Sequence, residues 1–110
     1  MDNCLFCKIA SKEIESKIIY EDDEVIAFLD INPVSKGHTL LIPKKHLDNG
    51  FNDEAYKYYE KAYKVAEILK DEYKWDGITI IQNNFYGQEV KHFHIHIIPR
   101  YENDGLKLQA

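Results

Sequence analysis

Between Ala55 and Tyr73 apolar side chains return every third or fourth position, at Ala55, Tyr58, Tyr59, Ala62, Val65, Ala66, Leu69 and Tyr73. That period gathers them on one stripe of an α-helix. Asn52 is the expected N-cap, Asp53 and Glu54 suit the positive end of the helix dipole, Lys70 and Lys74 suit the negative end, and Trp75-Asp76-Gly77 closes the element. Elsewhere the pattern is that of strands. Lys17 to Tyr20 and Val25 to Leu29 are short apolar runs rich in β-branched and aromatic residues, and Glu21-Asp22-Asp23-Glu24 between them reads as a charged hairpin turn. Asp30-Ile31-Asn32-Pro33 breaks the run, and Gly37 precedes a third strand, His38 to Pro43, closed by its proline. After the helix, Ile78 to Gln82 and His92 to Arg100 predict strands four and five, joined by the loop Asn83 to Gln88. The order predicts an α+β fold: a five-stranded antiparallel sheet with one long helix and a short N-terminal helix. No repeat, low-complexity tract or Pro/Gly-rich linker divides it, so residues 1–110 are expected to form one domain.

Composition narrows the partners. With 14 Lys and Arg against 19 Asp and Glu, the net charge of -5 opposes broad capture of nucleic acid or of an anionic membrane. Small molecules are the expected ligands. No apolar run approaches the roughly 20 residues needed to cross a bilayer. The start, Met1-Asp2-Asn3-Cys4, lacks the basic and then hydrophobic regions of an export signal, so the cytoplasm is the expected compartment. In that reducing setting Cys4 and Cys7 read as thiols, a redox pair or metal ligands rather than a structural disulfide. The tyrosines of the helix, Tyr56, Tyr58, Tyr59, Tyr63 and Tyr73, suit an interface as well as a core.

The candidate chemistry lies in His92-Phe93-His94-Ile95-His96-Ile97-Ile98. Strand alternation would put three imidazoles on one face and send Phe93, Ile95 and Ile97 to the core. The chain has only five histidines, and the other two, His38 and His46, fall within one short segment. Such clustering points to function. A single metal is a poor occupant for all three, because alternate side chains on a strand stand about 7 Å apart whereas zinc bonds are about 2 Å. Dividing the roles is easier. A neutral imidazole attacks an electrophilic phosphorus when one ring nitrogen is held as N–H and the other keeps its lone pair, and His94, in the middle, is placed for this. Its neighbours can donate to phosphate oxygens where charge builds up, His96 best of all. Cys4 and Cys7 have the spacing of half a zinc site, which His46 and His92 could complete; plain buried or reducible thiols are the competing reading.

These residues resemble the histidine triad (HIT) superfamily, in its Hint-like branch of nucleotide hydrolases and transferases, whose signature His-φ-His-φ-His-φ-φ is met at every position from His92 to Ile98. Further matches are Gly87-Gln88-Glu89-Val90, Pro99-Arg100, Phe28 to Pro33, Gly37-His38 and Ile42-Pro43-Lys44-Lys45-His46. The resemblance implies that His94 forms a covalent nucleotidyl-histidine intermediate, supported by His96 and His38. It implies hydrolysis at the α-phosphate, first as a purine nucleoside phosphoramidase, with dinucleoside polyphosphate hydrolysis, or a nucleotide-binding interaction protein with incidental turnover, as alternatives. By position Asp30 resembles the ribose-binding acid, with Leu5, Phe6, Ile9, Phe28, Leu29 and Ile31 lining a base pocket or serving as core. Asn83 and Gln88 resemble groups contacting the 5' side and phosphate, next to Glu89 and Val90. Glu89 stands where many members carry Ser or Thr, and a carboxylate donates no hydrogen bond unless protonated. A subset of the family binds structural zinc with the equivalents of Cys4, Cys7, His46 and His92, and the resemblance also implies a homodimer.

Overall fold

The computed structural model describes residues 3–108. Helix α1 (Leu5–Ala10) leads into β1 (Ile18–Glu21), β2 (Val25–Leu29) and β3 (Thr39–Pro43), then α2 (Tyr58–Tyr73), β4 (Gly77–Ile81) and β5 (Ile95–Arg100). The five strands form one sheet in the order β1-β2-β3-β5-β4, every neighbouring pair antiparallel. The predicted α+β architecture is the one observed.

The sheet is covered on both faces, which explains why β2 and β3 read as continuous apolar runs rather than alternating ones. On one face Val25, Ala27, Leu41, Phe93, Ile95 and Ile97 pack against Ala62, Val65, Ala66 and Leu69 of α2. On the other, Ile26, Phe28, Leu40 and Ile42 meet Phe6 and Ile9 of α1. The β1–β2 turn is tied to α2 by Asp22, whose carboxylate accepts from the Glu24 and Val25 amides, from the Tyr20 hydroxyl and from Lys61 Nζ at 2.7 Å. Those donors hold its carboxyl well below the usual range, against the opposing effect of its burial.

Strands β1, β3 and β4 are displaced by one residue at one or both ends from the expected ranges, and two boundaries differ by more. The helical stripe begins as a 3-10 turn at Ala55–Lys57, with α2 itself starting at Tyr58. The expected N-cap Asn52 caps neither element, Glu54 standing at the start of the 3-10 turn and Lys57 at that of α2; Asn52 makes the preceding bend, accepting the Glu54 amide on its side chain at 2.9 Å and the Ala55 amide on its carbonyl at 3.1 Å. Ala55 and Tyr58 are both buried, and the three-residue period of a 3-10 turn aligns them. The second difference concerns the histidines. β5 starts at Ile95, so His92 and His94 precede the ladder; Thr39, Leu40 and Leu41 of β3 pair with Ile97, His96 and Ile95, and pairing stops there. Pro43, two residues on, has no N–H to extend the ladder, and its carbonyl is engaged by the His92 ring at 2.9 Å.

Candidate active site

Alternation survives beyond the ladder. Phe93, Ile95 and Ile97 enter the α2-side core, and the three imidazoles take the opposite face, each in different surroundings. His94 is 5% exposed and has the Phe6 ring edge-on at 5.0 Å. Its Nδ1 lies 2.8 Å from the His92 carbonyl, an acceptor, so Nδ1 carries the proton and Nε2 keeps the lone pair.

The tautomers of His38 and His96 follow by the same reasoning. The Val34 amide donates to His38 Nδ1 at 3.1 Å, which leaves the His38 proton on Nε2. That N–H donates to His96 Nδ1 at 3.0 Å, so the His96 proton is on Nε2. Asp30 Oδ2 stands 3.6 Å from His38 Nε2, while its Oδ1 accepts the Asn32 amide at 2.8 Å. Asp30, His38 and His96 are grouped closely enough to suggest a metal site. The hydrogen bonds oppose it: coordination through His38 Nε2 would move the proton to Nδ1, against the Val34 N–H. Burial lowers the pKa of His38 and of His94, and takes His96 down to about 4, with His94 and His38 adding to the effect. All three rings are therefore neutral at pH 7.

His94 and His96 open onto a cavity of about 510 Å³. Ten of the proposed contact residues line it: Leu5, Phe6, Ile9, Phe28, Leu29, Asp30, Ile31, Asn83, Glu89 and Val90. Core and pocket are not alternatives here, since Phe6, Ile9 and Phe28 are buried against the sheet and line the cavity at once. Ile31, 91% exposed, is not a core residue. Gln88 is not among the lining residues. Its Nε2 donates to the Asp48 carbonyl at 2.6 Å and its Oε1 accepts the Phe85 amide at 3.2 Å, so it fastens the loop. The cavity wall also includes Ile14 to Lys17, Asn32, Leu40 and Gly87, which the sequence reading missed. Ile14 to Lys17 carry no motif; they reach the site because α1 and β1 bracket it.

A second cluster lies beside His94. Cys7 Sγ is 3.2 Å from His46 Nδ1 and 3.4 Å from His92 Nδ1, and Cys4 Sγ is 3.3 Å from His92 Nδ1. One ligand atom from each of the four residues falls within 4.8 Å of the others. The remaining ring nitrogens are oriented from behind: His92 Nε2–H donates to the Pro43 carbonyl, and His46 Nε2–H to Asp48 Oδ1 at 2.8 Å. Both bonds turn Nδ1 lone pairs toward the thiols, the outer-shell arrangement that supports metal-binding imidazoles. Asp48 was missed in the sequence. Burial pushes the Cys7 thiol up to about 11, and Cys4 beside it adds to the shift.

An antiparallel sheet that ends in His-φ-His-φ-His-φ-φ, with the middle ring neutral and facing a cavity, defines a histidine triad protein. Residues 11–103 match the HIT domain model, and the chain belongs to that family. It is 51% identical over 107 residues to an uncharacterized HIT-like protein of Methanocaldococcus jannaschii, across 93% of this chain and 82% of that one. Over 106 residues it is 41% identical to adenosine 5'-monophosphoramidase HNT1 of Saccharomyces cerevisiae, across 94% of this chain and 66% of the yeast protein. Among solved structures, a Zn-bound histidine triad family protein from Mycobacterium smegmatis superposes with a TM-score of 0.89 at 32% identity, covering 98% of this chain and 82% of that one. A HIT family hydrolase from Clostridium thermocellum gives 0.83 at 35% identity, covering 99% of both chains.

Proposed function

We propose that this protein is a nucleotide hydrolase that forms a covalent nucleotidyl intermediate on His94, acting as a purine nucleoside phosphoramidase. The observation that carries the reading is the His94 tautomer: the His92 carbonyl holds Nδ1–H and leaves Nε2 as the nucleophilic nitrogen. In the first step Nε2 forms a bond to the α-phosphorus and the bond from phosphorus to the leaving amine breaks as that nitrogen takes up a proton from solvent, which the attacking water gives back in the second step. Water then cleaves the histidine–phosphorus bond, yielding the nucleoside monophosphate and free His94. His96 Nε2–H donates to phosphate oxygen, and the Val34–His38–His96 chain fixes its tautomer. Asp30 holds the ribose, with the apolar cavity wall around the base and Asn83 toward the 5' side. The resemblance to the yeast phosphoramidase supports the amine leaving group.

Single-turnover mixing with an adenosine 5'-phosphoramidate labelled at phosphorus tests this. An acid-labile adduct on His94 is expected, with hydrolysis lowered at least about a thousandfold in His94→Ala. Absence of the adduct together with an unchanged rate in the variant would refute the covalent route.

Cys4, Cys7, His46 and His92 fit zinc by donor type, by mutual distance and by the hydrogen bonds behind both imidazoles. Four protein ligands leave no open position, so the ion would be structural, pinning α1 to the segment before β5. Protein purified without a polyhistidine tag is expected to hold about one zinc per chain. We also expect a homodimer: β4 ends the sheet with its residues all half-buried, and Tyr56 and Tyr63 are exposed. Light scattering in solution measures it.

A further inference from the structure

A second cavity of about 480 Å³ adjoins the first, lined by Asn3, Cys4, Leu5, His46, Glu89, Val90 and Lys91. Leu5, Glu89 and Val90 line both. Apart from Cys4 and His46, assigned above to zinc, the residues of this groove would face the remaining substituent of a nucleotide whose phosphorus lies at His94. Glu89 stands at the junction with an exposed side chain, and among the described residues it forms no ion pair. The other charges near this mouth are Asp30, Glu15 and Lys17 on the nucleoside side and Lys91 in the groove. Lys91 Nζ is turned back toward the Gln88 carbonyl at 3.4 Å.

A carboxylate next to a phosphate site weakens every anionic ligand unless the ligand brings a positive group of its own. The geometry points to Glu89 as the residue that selects the leaving group, favouring an amine whose far end carries a positive charge over neutral or anionic ones. The inference rests on the phosphoramidase reading. By the same repulsion Glu89 opposes a polyphosphate leaving group, which would bring further negative charge into the groove.

The test uses three adenosine 5'-phosphoramidates whose leaving amines have equal chain length and end in an ammonium, a hydroxyl or a carboxylate. For the wild type, kcat/KM should fall in that order, about three- to fivefold from cation to neutral and about tenfold from cation to anion, as expected for one exposed carboxylate. Glu89→Gln should bring all three within about twofold, chiefly by lowering the value for the cationic amine, and added salt should compress the wild-type order likewise. Equal rates for cationic and neutral amines in the wild type, or an order unchanged in Glu89→Gln, would overturn the assignment. Dissociation constants for the same compounds separate it from the reading beneath it. If none of the three is hydrolysed, the phosphoramidase reading fails. A cation preference in binding that disappears in Glu89→Gln then still supports Glu89, and its absence counts against it.

Discussion

At the scale of single residues the chemistry depends on where protons are held. Two backbone groups set the pattern: the His92 carbonyl fixes the proton of His94 on Nδ1, and the Val34 amide fixes that of His38 on Nε2. His38 does not line the cavity, so it works through His96 as a positioning residue. In His38→Asn the side chain stays polar, but the imidazole that holds His96 in one tautomer is gone. Turnover is expected to fall about a hundredfold with little change in KM, while the His94 adduct still forms. Steady-state kinetics combined with adduct trapping checks this. A variant as active as wild type would remove His38 from the mechanism.

At the scale of elements, the periodicity located every strand and the long helix, because burial on one stripe or in short apolar runs is written directly in the residue order. The ends were less legible. The length of the 3-10 turn depends on Ala55 and Tyr58 both reaching the core, and the start of β5 depends on Pro43 in a different strand. Neither is local information. The same holds for the site: the triad, Asp30 and the Cys-x-x-Cys pair were visible as motifs, whereas Ile14 to Lys17, the fastening of the loop by Gln88 and Asp48 behind His46 come from tertiary placement. The end of α2 adds a backbone detail. Lys74 adopts φ 55° and ψ 45°, and its amide donates to the Lys70 carbonyl at 2.9 Å, a left-handed cap made by a residue with a Cβ. Glycine takes this conformation without steric cost. Lys74→Gly is therefore expected to stabilise the fold by about 0.5–1 kcal/mol, measured as a higher urea midpoint at unchanged m-value. A lower midpoint would mean that the lysine side chain contributes more than its backbone strain costs.

At the scale of the whole molecule, both sheet faces are buried, and the α1 face places histidines in surroundings that disfavour their charged form. The consequence is a dependence of stability on pH. His96 packs against His38 and His94, with Asp30 the acid nearby; burial comes first, and its two histidine neighbours next, in lowering its pKa from about 6.5 to about 4, while Asp30 acts weakly the other way. The unfolded chain then binds more protons than the folded one between about pH 4 and 6.5, so stability rises with pH across that window. Above about pH 6.5 the ring is neutral in both states and has no effect; as the pH falls toward about 4 the unfolded ring takes up a proton that the folded one does not, and stability is lost by up to about 1.4 kcal/mol per pH unit for one group. Other groups titrate in the same range, and a comparison of variants isolates this one. Urea midpoints at pH 7.5 and 5.0 should differ more for the wild type than for His96→Asn, which cannot take up a proton. Equal differences in the two proteins would show that His96 is already charged, or already solvated, in the folded state.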